Sequence, residues 1–185
     1  MDIDWSAQLF DQLDWHWRRQ LRPRLEGLTD DEYVWEPVPG AWNVHRRGES
    51  TAPIAAGSGD FTIDFEMPEP DTPPVTTIAW RLGHVIVGVL GMRVAGHFGG
   101  PAMDYGTFAY AGTADEALRQ LDEQYAAWAD GVRTLGGEGL GRPCGPSEPF
   151  PDVPMAALVL HINREVIHHG AEIALLRDLY RWRAT

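Results

Sequence analysis

Seven prolines between residues 34 and 74 split this chain into parts that can be helical and one part that cannot. Pro37, Pro39, Pro53, Pro68, Pro70, Pro73 and Pro74 each lack a backbone donor and block helix continuation. Within the stretch only Phe61–Phe65 (FTIDF) alternates as a short strand does. Irregular stretches of this length are uncommon inside a compact domain and are often functional. We expect a crossover that packs over the rest of the chain through Trp35, Trp42 and Phe65.

Helical periodicity occupies four other segments. In the first, about Asp4 to Gly27, Trp5, Leu9, Leu13, Trp17, Leu21 and Leu25 recur every fourth residue and make one apolar stripe. Pro23 should end or kink that helix near Arg22, failing which Gly27 stops it. Thr29 and Glu32 have capping-box spacing, which predicts a short turn there. The second segment, about Thr76 to Gly99, is apolar nearly all round, as suits a helix buried among others. The third opens on another capping box, Thr113 with Glu116, and its apolar residues alternate three and four apart up to Gly136-Gly137. The fourth runs from near Asp152 to about Trp182. These segments predict a single all-α domain over residues 1–185. Its form would be a four-helix bundle with one long irregular crossover, with room for a short strand pair, between helices 1 and 2.

Composition narrows the function. At 185 residues a single core can form without staples. The one cysteine, Cys144, excludes an internal disulfide framework and a multi-cysteine zinc knuckle. A net charge of −12 argues against a nucleic-acid binder, which needs a positive face. The acidic start of the chain lacks a signal-peptide core, and the apolar run around Val85–Leu90 is shorter than a membrane span requires. A cytoplasmic protein with no membrane partner is the expectation.

Three of the 7 histidines lie in the fourth segment, in HINREVIHHGAEI. His161, Glu165 and His169 stand four apart and share a helix face. At ~100° per residue His169 falls within the apolar stripe set by Ile162, Ile173 and Tyr180, and His168 falls on the polar side. Glu165 sits at the stripe's edge, with His161 a little further out. A Glu and a His at i,i+4 can hold one metal ion, by the geometry that HExxH uses; an ordinary hydrogen-bonded core pair accounts for the spacing equally well. His84, inside the very apolar second helix, is the candidate third ligand, although alone it reads as a satisfied core histidine. Two histidines and one carboxylate leave positions open for water and substrate. His16 reads as an edge residue and His45 as a solvated loop residue. His97 closes the second helix, where a cation suits the dipole. Cys144, in GRPCGPSEP, has no evident thiolate-stabilising neighbour.

Helix order and these residues resemble the DinB-like superfamily of four-helix bundles, whose signature is a His on the second helix and paired ligands on the fourth. HINREVIHHGAEIALLRDLY carries the pair, and LTDDEYVWEPVPGAWNV and PPVTTIAWRLGHV add to the likeness, which spans essentially the whole chain. The resemblance implies His84, Glu165 and His169 as ligands of a divalent metal, zinc or nickel. Many members have His where Glu165 stands; the Glu form is similar to the mycothiol-dependent maleylpyruvate isomerase branch. The resemblance further implies a thiol S-transferase or isomerase that takes a low-molecular-weight thiol such as mycothiol and an electrophile. The metal would hold the thiol as thiolate, and Arg81 or Arg164 would hold its carboxylate. A homodimer is also implied. The alternative is a non-catalytic metal-binding or dimerising bundle.

Overall fold

The computed structural model describes residues 3–183. The first helix, α1, covers residues 5–24: a regular stretch Trp5–His16, a wider π-wound turn Trp17–Leu21, and a last turn Arg22–Arg24. Asp4 caps it, its carboxylate accepting from the Ala7 N–H at 3.1 Å. The helix continues through Pro23 because the turn before it widens. Pro23 has no N–H to return, and the Arg22 N–H reaches back five residues to the Trp17 carbonyl. The expected apolar stripe is buried from Leu13 onward, Leu9 is half-buried, and Trp5 is 61% exposed. Gly27, at φ +68, takes the left-handed turn that follows. The short helix α2, Asp30–Tyr33, is capped as its spacing predicts, the Thr29 hydroxyl accepting from the Glu32 N–H at 3.3 Å.

The proline-rich crossover holds three strands rather than a strand pair. β1 (Val44–Arg46), β2 (Ile54–Ala56) and β3 (Phe61–Phe65) form an antiparallel sheet in the order β1-β3-β2. Val44 pairs with Ile63, and Ile54 with Phe65. The buried Asp64 carboxylate organises the sheet. It accepts from the Asn43 N–H (2.9 Å) and the Ser50 hydroxyl (2.5 Å) and meets His45 Nε2 at 3.0 Å. His45 is therefore a strand residue with a partner, not a solvated loop residue.

Helix α3, Ile78–His97, starts at Thr77, whose hydroxyl accepts from the Trp80 N–H at 3.2 Å. It carries a second π-wound stretch, Val85–Gly91, directly after His84. Length and composition would let α3 cross a membrane, but 67% of its apolar window is buried within the protein. Its hydrophobicity is thus spent on the core. Helix α4 is Ala114–Arg133. Gly136, at φ +58, then turns the chain into a short helix α5, Gly136–Gly141, where the sequence predicts only a stop. Helix α6 is Met155–Trp182.

Helices α1 and α3 each pack against both α4 and α6. The core between them includes Trp17 stacked on Tyr125 (ring centroids 3.8 Å apart) and Trp128 edge-on to Phe98. The crossover anchors find the helices. Trp35 meets Tyr180 of α6 edge-on at 5.6 Å, and Trp42 and Phe65 pack on Trp80 of α3. Trp80 Nε1 also donates to the Asp64 carbonyl at 2.8 Å, tying the sheet to α3. A buried ion pair closes one end. Arg177 of α6 meets Glu32 of α2 through Nε–Oε1 (2.6 Å) and Nη2–Oε2 (3.0 Å), and donates to the Arg24 and Glu26 carbonyls.

Candidate metal centre

Helices α3 and α6 pack against each other, and this brings His84 and His169 together. Their rings meet edge to face with centroids 4.7 Å apart. His169 is buried and His168 exposed, as the helical angles predict. Glu165, one turn before His169, is partly buried, with its Oε2 3.6 Å from His169 Nε2. Two ligand atoms bound at 2.0–2.1 Å on a tetrahedral ion would be ~3.3 Å apart, so the separation is close to what a shared ion requires.

Each imidazole is held from behind through Nδ1. His169 Nδ1 donates to Glu172 Oε2 at 2.6 Å, and His84 Nδ1 lies 2.7 Å from the Tyr105 hydroxyl. Both partners fix ring orientation; the Glu172 carboxylate, which only accepts, also leaves His169 Nε2 as the free lone pair, whereas the Tyr105 hydroxyl can donate or accept. Burial, the neighbouring His169 ring and the cations of Arg81 and Arg93 push His84 down to about 3. Burial likewise lowers His169, against the opposing pull of Glu172. Both rings are neutral at pH 7, the form that binds metals.

Neither holding partner stands out in the sequence. Glu172 lies three residues past His169 and four past His168, so the i,i+4 rule that picks out Glu165 with His169 also reaches it from His168. Tyr105 comes from the connection between α3 and α4, and only Gly88 hints at it. A Cβ on Gly88 would lie 1.9 Å from the Tyr105 hydroxyl oxygen, so the hydroxyl reaches His84 only because that residue is glycine. A glycine inside an apolar helix costs about 1 kcal/mol relative to alanine, which calls for such a reason.

Among the described residues, the three donors that all lie within 4.8 Å of one another are those of His168, His169 and Glu172; the predicted set of His84, Glu165 and His169 is not drawn together that closely. Glu172 is already engaged there. Its Oε2 accepts from His169 and also faces Arg81 Nε at 3.2 Å, and His168 is solvent-exposed. The two predicted arginines part company. Arg81 is largely buried beside the histidines. Arg164 stands on the rim, folding back on Glu165 (3.2 Å) and His161 (Nη2–Nδ1 2.6 Å). Cys144 is buried and lines a neighbouring cavity of about 350 Å³ with Arg93, His161 and Arg164, and burial pushes its thiol up.

The space around the site is divided. A cavity of about 280 Å³ is lined by His84, Tyr105, Arg93, His161 and Glu165. A second, of about 380 Å³, shares His84 and Tyr105 with it and extends under the crossover.

A family model described as the DinB superfamily matches residues 12–173. The chain belongs to the DinB superfamily. No curated protein and no solved structure matches it. The match runs from α1 into α6 and takes in His84, Glu165 and His169 of this DinB-superfamily chain.

Proposed function

We propose that this DinB-superfamily chain is a four-helix bundle that binds a divalent metal, zinc or nickel, through His84, Glu165 and His169, and uses a low-molecular-weight thiol of the mycothiol type in S-transfer or isomerisation. The observation that carries the metal reading is the pair of edge-on imidazoles from two helices, each held through Nδ1, with the Glu165 carboxylate beside His169. Two imidazoles and one carboxylate suit zinc or nickel and leave room for a further ligand. A bound ion would supply the Lewis acidity that keeps a thiol ionised. The chain's own groups do the rest. Glu172 and Tyr105 hold the two rings. Arg81, neutralised by Glu172, offers its remaining donors to an anionic group. The low polarity around α3 limits water. In the reaction the thiol gives up its proton and its sulfur forms a bond to an electrophilic carbon. In transfer a leaving group departs with its electron pair; in isomerisation the thiol itself is later released.

Metal analysis of untagged protein tests this. Wild type is expected to hold about one divalent ion per chain. His84→Ala, Glu165→Gln and His169→Ala should lose it, and His168→Ala should retain it. Glu172→Gln should weaken binding by about 10–100-fold, the usual cost of removing such a partner. Loss in His168→Ala with retention in His84→Ala would move the ion to His168, His169 and Glu172. No metal after incubation with zinc or nickel would sink the reading. Consumption of a thiol with an aryl halide by the metal-loaded protein then tests S-transfer.

We also propose a cytoplasmic homodimer. Leu160, Ile167, Leu175 and Leu179 lie along α6 and are 56%, 39%, 59% and 47% exposed. They share one broad side of the helix with Arg164 and His168, and large apolar side chains gathered on one exposed side mark association surfaces. Sedimentation velocity should give twice the chain mass for wild type and the single-chain mass for Leu175→Glu; a monomeric wild type refutes the dimer.

A further inference from the structure

The larger cavity has walls of a different kind from the metal cluster. Trp42 and Phe65 of the crossover, Trp80 of α3 and Tyr105 form one aromatic lining, with ring centroids 4.8–6.0 Å apart from neighbour to neighbour. The Trp80 ring continues into His84 as a near-parallel stack, 5.4 Å between centroids at 14°. A wall of tilted and edge-on aromatic rings ending on an imidazole favours a flat, polarisable group, since such ring contacts add about 0.5–1.5 kcal/mol beyond area burial. At about 380 Å³ the cavity is within the usual range for small-molecule sites.

One charged group lines it from within. Arg81 is buried except for a fifth of its side chain; its Nε faces Glu172 Oε2 in an ion pair at 3.2 Å without the alignment of a hydrogen bond. A guanidinium carries five donors in a planar fork suited to a carboxylate. A mostly buried guanidinium whose one charged partner is poorly aligned gains from a ligand that completes its hydrogen bonds. At the mouth the charge reverses, because Glu66 and Glu69 also line the cavity. That rim disfavours a second negative charge at the outer end of a ligand.

We propose that this cavity binds an aromatic monocarboxylate, its ring against the wall formed by Trp42, Phe65, Trp80 and Tyr105 and its carboxylate on Arg81, with the uncharged end toward Glu66 and Glu69. As the approach of a substrate to His84 the proposal rests on the functional reading above; as a binding site it stands on the cavity alone.

Quenching of tryptophan fluorescence reads occupancy directly, because Trp42 and Trp80 form the walls. The probes are 2-naphthoate, its neutral counterpart 2-naphthylmethanol, and 2,6-naphthalenedicarboxylate. They are titrated into the full chain as purified and again after chelator treatment. 2-Naphthoate should bind in both preparations, and more tightly than either other probe. Arg81→Gln should weaken 2-naphthoate by at least about tenfold and leave 2-naphthylmethanol unchanged. Phe65→Leu should weaken both, with its melting temperature reported alongside to exclude unfolding. Equal affinity for acid and alcohol, or 2-naphthoate binding unmoved by Arg81→Gln, overturns the proposal. Binding that vanishes with chelator overturns it too, since the acid would then be sitting on a metal. Retained binding in a chain that takes up no metal sinks the metal reading and leaves the cavity assignment standing.

Discussion

Glu32→Ala should cost the folded state about 3–5 kcal/mol, because it strands the Arg177 guanidinium in the interior. Glu32 is 4% exposed and Arg177 2% exposed, and their contact is bidentate. The pair links α6 to α2, and through the Arg24 and Glu26 carbonyls to the end of α1. Arg177→Met should cost less than Glu32→Ala, since a lone carboxylate can take up a proton more readily than a guanidinium can lose one. The double variant Glu32→Leu/Arg177→Met should recover more than half of the larger loss, because a buried pair replaced by apolar residues is often nearly neutral. Urea unfolding measures all three. A loss of less than about 1 kcal/mol in Glu32→Ala would show that the pair is solvated in solution.

Above pH 10 stability should fall steeply. Burial raises the phenols of Tyr33, Tyr110 and Tyr125 well above the ordinary tyrosine value, and the Asp14 carboxylate, which accepts from the Tyr125 hydroxyl at 2.8 Å, adds to the effect there. Tyr33 donates to the Ala111 carbonyl and Tyr110 to the Tyr105 carbonyl, bonds that only the protonated phenol can make. Once the pH passes about 10, the unfolded chain releases these protons while the folded chain keeps them. The unfolded state then binds fewer protons, and stability drops with pH by about 1.4 kcal/mol per unit for each tyrosine. Three tyrosines give a slope of up to about 4 kcal/mol per unit, and below pH 10 they contribute no slope. Urea melts between pH 8 and 11 should show this, with tyrosinate absorbance rising together with unfolding. Tyr105, which burial pushes up to about 12, adds a fourth contribution, so Tyr33→Phe should cut the whole slope by about a quarter. Tyrosinate absorbance that rises before the fold is lost would refute it.

The helical part of the fold and the inner face of the site are legible in the sequence because both obey short-range rules. Thr29 with Glu32 and Thr113 with Glu116 cap helices at the predicted places, and the helical angles separate buried His169 from exposed His168. The sheet is less visible. β1 and β2 are three residues each, too short to show alternation, and only FTIDF of β3 does so. The π-wound turns change hydrogen-bond partners by one residue without altering apolar spacing enough to read. Partners distant in the chain leave no local trace: Glu32 and Arg177 are 145 residues apart, and Tyr105 reaches His84 from a connection with no periodicity. The sequence offers Arg81 for a thiol's carboxylate; its ion pair with Glu172 and its place in an aromatic cavity need three dimensions to see.

The aromatic cavity and the proposed metal site meet on α3, at His84, but differ in what else they draw on. The two imidazoles and Glu165 belong to α3 and α6, whereas Trp42, Phe65 and the acidic rim belong to the proline-rich crossover. Loops accept substitution and insertion more readily than the packed elements they join. The crossover's share of the cavity is therefore separately heritable from the helices: a lineage, or a designer, can redraw what the crossover admits while the residues of α3 and α6 stay as they are.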